Sequence, residues 1–285
     1  MMDLLIILGI IVLGPIVGGL LTGVDRIITA RMQGRQGPPL LQPFYDVIKL
    51  WHKERQVANR IQIFYAVVYL AFAILSLVLF GLGKDLLLII FVLTVGGGAL
   101  VLGAMSTPSP YSQIGAQREI MQMLAYDPIL IITAIALYMV TGSFTVEGIV
   151  QYQMDNGPLL VVLPLVFLTL TYVLTIKMRK SPFDISTSHH AHQEVVRGVT
   201  TEYSGPYLAV IEVAHWYEVI LVLGFVALFA ANNVFLAAGL LAITFFVELL
   251  LDNITARLTW RWMLQSTWLV GMGLAAINVA LVYFI

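Results

Sequence analysis

The chain has 285 residues, 60% of them hydrophobic and 11% charged, which is too apolar for a soluble domain of this length. Cysteine is absent, which excludes disulfides, thiolate-held iron–sulfur clusters and cysteine-based zinc sites within the chain. A formal net charge of -1 offers no electrostatic footprint for nucleic acid.

A bilayer core needs about 20 apolar residues as helix, because backbone polar groups in lipid have to pair within the segment. Eight segments meet this: 3–24, 61–83, 86–107, 128–146, 158–176, 206–231, 234–251 and 266–285. They predict an all-α, polytopic membrane protein in one domain, 1–285, with no soluble domain and no internal repeat. The first segment has no basic leader and no small-residue cleavage site, so it reads as a retained span.

Segment 25–60 contains Pro38, Pro39 and Pro43, then FYDVIKLWHKE. Phe44, Val47, Ile48 and Trp51 recur there at 3–4 spacing, with Asp46, Lys49 and Lys53 expected opposite. This predicts a short amphipathic helix at the membrane surface, as an anchor or as the lining of a cavity mouth. In the third span, Gly96–Gly98 permits close helix packing. Glu119 and Asp127 are expected to flank the start of span four.

After span five, Ser181–Gly205 reads SPFDISTSHHAHQEVVRGVTTEYSG and concentrates Asp184, His189, His190, His192, Glu194, Arg197 and Glu202. Zinc would need three or four ligands in fixed geometry. Neighbouring histidines of one loop suit hydrogen bonds to a partner or to loop backbone better, so no metal is expected. Span six carries Glu212, His215 and Glu218 at i, i+3 and i+6, within roughly a 120° face. An ionised residue at mid-membrane costs about 2.5–3.5 kcal/mol on insertion scales, so three titratable groups on one face point to a proton or ion relay or to a buried network. Glu248 and Asp252 end span seven, and Asp252 is placed to pair with Arg257.

Of the 15 Lys and Arg, only Lys84 falls on one side of this topology; the others follow spans one, three, five and seven. The positive-inside rule then puts both termini outside and the loops 25–60, 108–127, 177–205 and 252–265 in the cytoplasm. No nucleophile–base pair, phosphate loop or cofactor motif occurs, so the chain is expected to bind no cofactor and to conduct or couple rather than catalyse alone.

RQGP at Arg35–Pro38 and LQPFYDVIKLWHKE at Leu41–Glu54 resemble the matching stretch of subunit 1 (H-type) of respiratory complex I. So do PFD at Pro182–Asp184, Glu194, TEYSG at Thr201–Gly205, and Arg257, Met263 and Trp268 before the last span. The resemblance covers nearly the whole chain. Three departures stand out. Only Pro39 and Leu40 separate the RQGP and LQP elements, SHHAHQE replaces an acid-rich run, and His215 falls where the family has glutamate. FDISTSHHAHQE and LLLDNITAR are most similar to the counterpart subunit of energy-converting membrane-bound nickel–iron hydrogenases, of the Ech, CO-induced and formate hydrogenlyase types.

The resemblance implies a membrane-anchor and coupling subunit of such a hydrogenase in a prokaryotic plasma membrane, joining donor oxidation and hydrogen evolution to proton or sodium movement. It implies as partners a hydrogenase large subunit with the nickel–iron centre, a small iron–sulfur subunit and antiporter-like membrane subunits. Glu194 and Glu202 match the family's carboxylates and Glu119 falls near one. Glu212, His215, Glu218 and Asp252 join the expected coupling path by position. Arg35, Gln42, Asp46, Lys49, Asp184, His189, His190, His192, Arg197 and Tyr203 form the expected partner-facing surface or cavity. Two alternatives are an H-type component of a quinone-reducing complex I and an autonomous secondary ion transporter. The shortened 35–43 stretch speaks against a quinone chamber, and the lack of inverted repeats against the transporter.

Overall fold

The computed structural model describes residues 2–56, 59–179, 183, 197–256 and 258–284. Eleven α-helices cover most of them: α1 Met2–Met32, α2 Gln42–Trp51, α3 Arg60–Gly81, α4 Leu86–Met105, α5 Pro110–Thr141, α6 Val146–Asn156, α7 Pro164–Lys177, α8 Gly205–Ala227, α9 Val234–Ile254, α10 Trp260–Ser266 and α11 Met272–Phe284. Among the described residues there is no strand, only two isolated bridges. The all-α membrane architecture read from composition is the observed one.

Seven stretches are long and apolar enough to cross a membrane: α1, α3, α4, α5, α8, α9 and the run Trp260–Phe284. The expected fifth span, 158–176, differs. Residues 158–163 turn, and α7 has 14 residues, about 21 Å of helix at about 1.5 Å each. Its first amide groups would be orphaned in an apolar interior, but Asn278 of α11 accepts from the amides of Leu165 and Val166 at 2.9 and 3.2 Å. The same Asn278 donates to the Val162 carbonyl at 3.2 Å.

The expected boundary at 128 is also corrected. α5 runs 32 residues with Pro128 inside it, so Glu119 and Asp127 lie two turns apart within one helix rather than at its start. Proline leaves the carbonyl four residues earlier without its helical donor. The Trp268 indole supplies a donor to that carbonyl, Leu124 O, at 3.2 Å. α1 solves the same problem at Pro15, where the Tyr217 hydroxyl donates to Ile11 O at 2.7 Å. Both interior prolines are tolerated because a neighbouring helix replaces the missing N–H.

α8 is the most enclosed of the long helices and packs against α1, α2, α3, α7 and α9. Small residues set the closest approaches. A Cβ on Gly18 would strike Trp216 of α8, and one on Gly19 would strike Phe44 of α2. In the glycine triplet, Gly96 abuts Phe72 and Tyr69, and Gly97 abuts Met123, as close packing requires. Gly98 meets nothing within 4 Å.

α6 had no counterpart among the expected elements. Its Gln153 closes the end of α8, donating to Leu228 O at 2.6 Å and accepting from the Ala231 amide at 3.0 Å. The predicted amphipathic helix is α2, with its apolar stripe differently shared. Phe44 turns inward, edge-on to Trp216 at 5.3 Å, while Ile48 and Trp51 face outward. Asp46 is not free on the far side; its carboxylate pairs with Arg26 of α1.

Candidate functional site

Four helices bring polar side chains together in the bundle interior. Glu218 of α8 is 3% exposed. Its Oε1 lies 3.1 Å from Nζ of Lys177 at the end of α7, and its Oε2 accepts from the Tyr69 hydroxyl of α3 at 2.8 Å. Lys177 also donates to the Tyr126 hydroxyl of α5 at 3.2 Å, and its ammonium sits 4.8 Å from the centre of that ring. Breaking a buried pair by removing one partner strands a charge and typically costs about 3–5 kcal/mol. The added hydroxyl groups complete the pair's hydrogen bonding.

One turn back on α8, His215 Nδ1 approaches Glu218 Oε2 at 3.7 Å, which is too long for a hydrogen bond. That nitrogen is sealed from solvent and has no hydrogen-bond partner. A second pair lies beside the first: Arg179 Nη2 is 3.8 Å from Glu119 Oε1, and both side chains are largely buried. Arg179 adopts a left-handed backbone, φ 56°, a conformation non-glycine residues adopt at a cost. The end of α7 thus supplies two cations that answer acids from α8 and α5.

A cavity of about 340 Å³ opens between α4 and α5, lined by Thr94, Gly98, Val101, Met123, Asp127 and Pro128. Asp127 follows Tyr126 directly, and its Oδ1 is buried without a hydrogen-bond partner. Among the described residues no three His, Asp or Glu side chains gather as a metal site.

The expected residues divide unevenly over this geometry. Glu119, His215 and Glu218 are in the cluster, and Glu212, half-buried on α8, lies within electrostatic reach of Arg179. Glu202 is half-buried ahead of α8, and Asp252 is half-buried on α9. Asp184, His189, His190, His192 and Glu194 lie outside the described residues, as does Arg257, the expected partner of Asp252.

On the expected partner-facing surface, Arg35, Lys49 and Arg197 are exposed, and Arg35 donates to Gln33 at 2.9 Å. Gln42 and Asp46 are engaged within the chain instead, Gln42 donating to Asp46 at 2.9 Å. Burial pulls the Asp46 carboxyl upward, but hydrogen bonds from Arg26 and Gln42 and the charges of Arg26 and Lys49 outweigh it and hold it below its usual 3.8. Tyr203, expected on that surface or cavity, is 4% exposed, with its hydroxyl seated against Gly103 of α4, and burial pushes the phenol upward. The missing Cβ of Gly103 makes that seat.

Sequence reasoning misses Lys177, Arg179, Tyr69 and Tyr126 as site residues. The signal is present for Lys177: an ionisable side chain within the end of an apolar segment is functional by default. In the sequence it reads only as part of the charge asymmetry that sets orientation. Tyr69 and Tyr126 give no such signal, because a tyrosine in an apolar helix reads as packing.

Three comparisons bear on this arrangement. The family model described as "NADH dehydrogenase" matches residues 4–283. The chain is 31% identical over 289 residues to Hydrogenase-4 component C of Escherichia coli, covering 90% of this chain and 89% of that one. It is 30% identical over 239 residues to the H-type component of the NADH-quinone oxidoreductase of Thermomicrobium roseum, covering 70% and 69%. Among solved structures it resembles a chain of the membrane-bound sulfane sulfur reductase, an archaeal respiratory membrane complex, with a TM-score of 0.88, 26% identity, and coverage of 99% and 100%. Sequence motif, helical architecture and these matches agree: the chain is a multi-pass membrane protein belonging to the NADH dehydrogenase subunit 1 family.

Proposed function

We propose that this chain is the membrane-anchor and coupling subunit of an energy-converting hydrogenase-type complex, linking donor oxidation and hydrogen evolution at a soluble arm to proton or sodium movement. The observation that carries the reading is the buried charged cluster: Glu218, Lys177 and His215 beside Glu119 and Arg179, inside an apolar bundle. Such groups are expensive in a membrane interior, and they titrate or exchange partners when charge changes nearby. The similarity to Hydrogenase-4 component C over nine-tenths of the chain supports the hydrogenase branch.

In this reading the chain binds no cofactor. The nickel–iron centre and iron–sulfur clusters sit in partner subunits, and antiporter-like subunits continue the ion path. Residues 35–54 and 181–205 face the arm on the cytoplasmic side. Glu194 and Glu202 receive its charge change, Glu212, His215 and Glu218 carry it into the membrane, and Glu119 and Asp252 flank the route. Both termini lie outside the plasma membrane.

A quinone-reducing assembly is the second reading, favoured by the similarity to the NADH-quinone oxidoreductase component. Purifying the complex through this chain separates the two. Hydrogen evolution from a reduced ferredoxin-like donor, insensitive to quinone-site inhibitors, is expected. Quinone-dependent, inhibitor-sensitive turnover without hydrogenase activity would move the chain to the second reading.

A further inference from the structure

Glu218 is held by two donors at once, Lys177 at 3.1 Å and Tyr69 at 2.8 Å. A carboxylate so well satisfied has little reason to take a proton from an unconnected source. Lys177 is placed differently. Around it stand Tyr126, Glu119 and Asp127 from α5, Tyr69 from α3, and Glu218 from α8, with Arg179 two residues further along its own chain. It has an acceptor for its proton in Glu218 and a hydroxyl neighbour in Tyr126, which can also donate.

We infer that Lys177 is the group that surrenders its proton in the coupling step, handing it to Glu218 while Tyr126 holds the neutral amine; this rests on the coupling role proposed above. In the step, the Nζ–H bond facing Glu218 breaks and an O–H bond forms on Oε1. An ion pair becomes an amine beside a carboxylic acid, with no change in net charge. Burial works toward this exchange, because a neutral, hydrogen-bonded pair carries a smaller desolvation penalty than an ion pair. The carboxyl group then turns its new O–H toward Nδ1 of His215, which lies 3.7 Å from Oε2, is buried and has no hydrogen-bond partner, and the proton crosses once the two close to hydrogen-bond distance. Glu218 returns to carboxylate, His215 becomes imidazolium, and the Lys177 amine lone pair accepts from the Tyr126 hydroxyl. A proton from the supply side then restores the ammonium.

Arginine distinguishes this from a structural charge. Lys177→Arg keeps a cation facing Glu218 but cannot be deprotonated in a protein. The measurement is ions moved per electron pair in proteoliposomes of the whole complex. Lys177→Arg is expected to assemble and transfer electrons, with ion movement falling about a hundredfold or more, a loss in the range of a positioned acid–base group. Ion movement at the native level in Lys177→Arg overturns the inference. If Lys177→Arg does not assemble, Tyr126→Phe decides, since it removes only a hydroxyl. A several-fold loss of coupling supports the role given to Lys177, and native coupling overturns it. Glu218→Gln and Glu202→Gln run alongside. If either is uncoupled while the lysine and tyrosine variants pump normally, this inference fails and the coupling role stands. If all four pump normally, the coupling role itself fails. Normal pumping by Glu218→Gln with Lys177→Arg blocked overturns the hand-off to Glu218.

Discussion

Glu218 and Glu202 carry the same functional group in different surroundings, and their amide variants should diverge. Glu218→Gln keeps the shape but strands Lys177, whose buried ammonium loses the carboxylate 3.1 Å away. Removing one partner of such a pair costs about 3–5 kcal/mol, lessened if the lysine sheds its proton. Glu202 is half-buried at the mouth of α8, so Glu202→Gln should assemble with native thermal stability while coupling falls. A thermal melt of both purified variants checks this, and equal stability would contradict the buried-pair account. At the surface helix, Asp46 is held below 3.8, so its pairing with Arg26 contributes above that value and is lost as pH falls through the lowered one. The stability difference between native and Asp46→Asn protein should therefore be flat from about pH 5 to about pH 8 and shrink toward about pH 3. A difference that vanishes near neutral pH would contradict the sign. His215 and Glu218 were legible in the sequence because their spacing fixes one helical face. Tyr69 and Tyr126 were not, and Lys177 showed only as a lone cation at the end of an apolar segment, because their meeting depends on how α3, α5, α7 and α8 pack.

At the scale of the helices, the two helix-interior prolines set the strongest constraint. Pro15 and Pro128 each leave a carbonyl without a helical donor, and Tyr217 and Trp268 supply one from another helix. Tyr217→Phe should cost about 1–3 kcal/mol by orphaning Ile11 O. In a Pro15→Ala background, the restored N–H at residue 15 can take that carbonyl, so the same substitution should cost clearly less. Chemical or thermal unfolding of the four proteins gives the coupling, and additive losses would contradict the account. Pro128 also explains the misplaced boundary of α5. A proline after charged residues reads locally as a helix start, and only the donor from Trp268 makes an interior proline tolerable. The shortness of α7 was hidden likewise: residues 158–176 are apolar enough to read as one span, but Pro158 and Pro164 and the Asn278 cap set the start at 164. The seven long spans were legible because hydropathy over twenty residues does not depend on tertiary context.

For the molecule as a whole, the proposed coupling role joins two features: the charge asymmetry, which under the positive-inside rule would put the Lys- and Arg-rich loops in the cytoplasm, and the buried charged cluster inside an apolar bundle. The chain has no cysteine, so single substitutions at Gln36 and Asn156, both exposed, report topology cleanly. In sealed vesicles Gln36→Cys should label only from the cytoplasmic side and Asn156→Cys only from the outer side; the reverse would invert the orientation. The most direct test of the coupling role is ion uptake by sealed proteoliposomes containing the purified complex, followed together with hydrogen evolution from a reduced one-electron donor. The account predicts that ions move only while donor is oxidised, and that Glu218→Gln lowers the ratio of ions to hydrogen. Hydrogen evolution with no ion movement, or ion movement by this chain alone without donor, would contradict it.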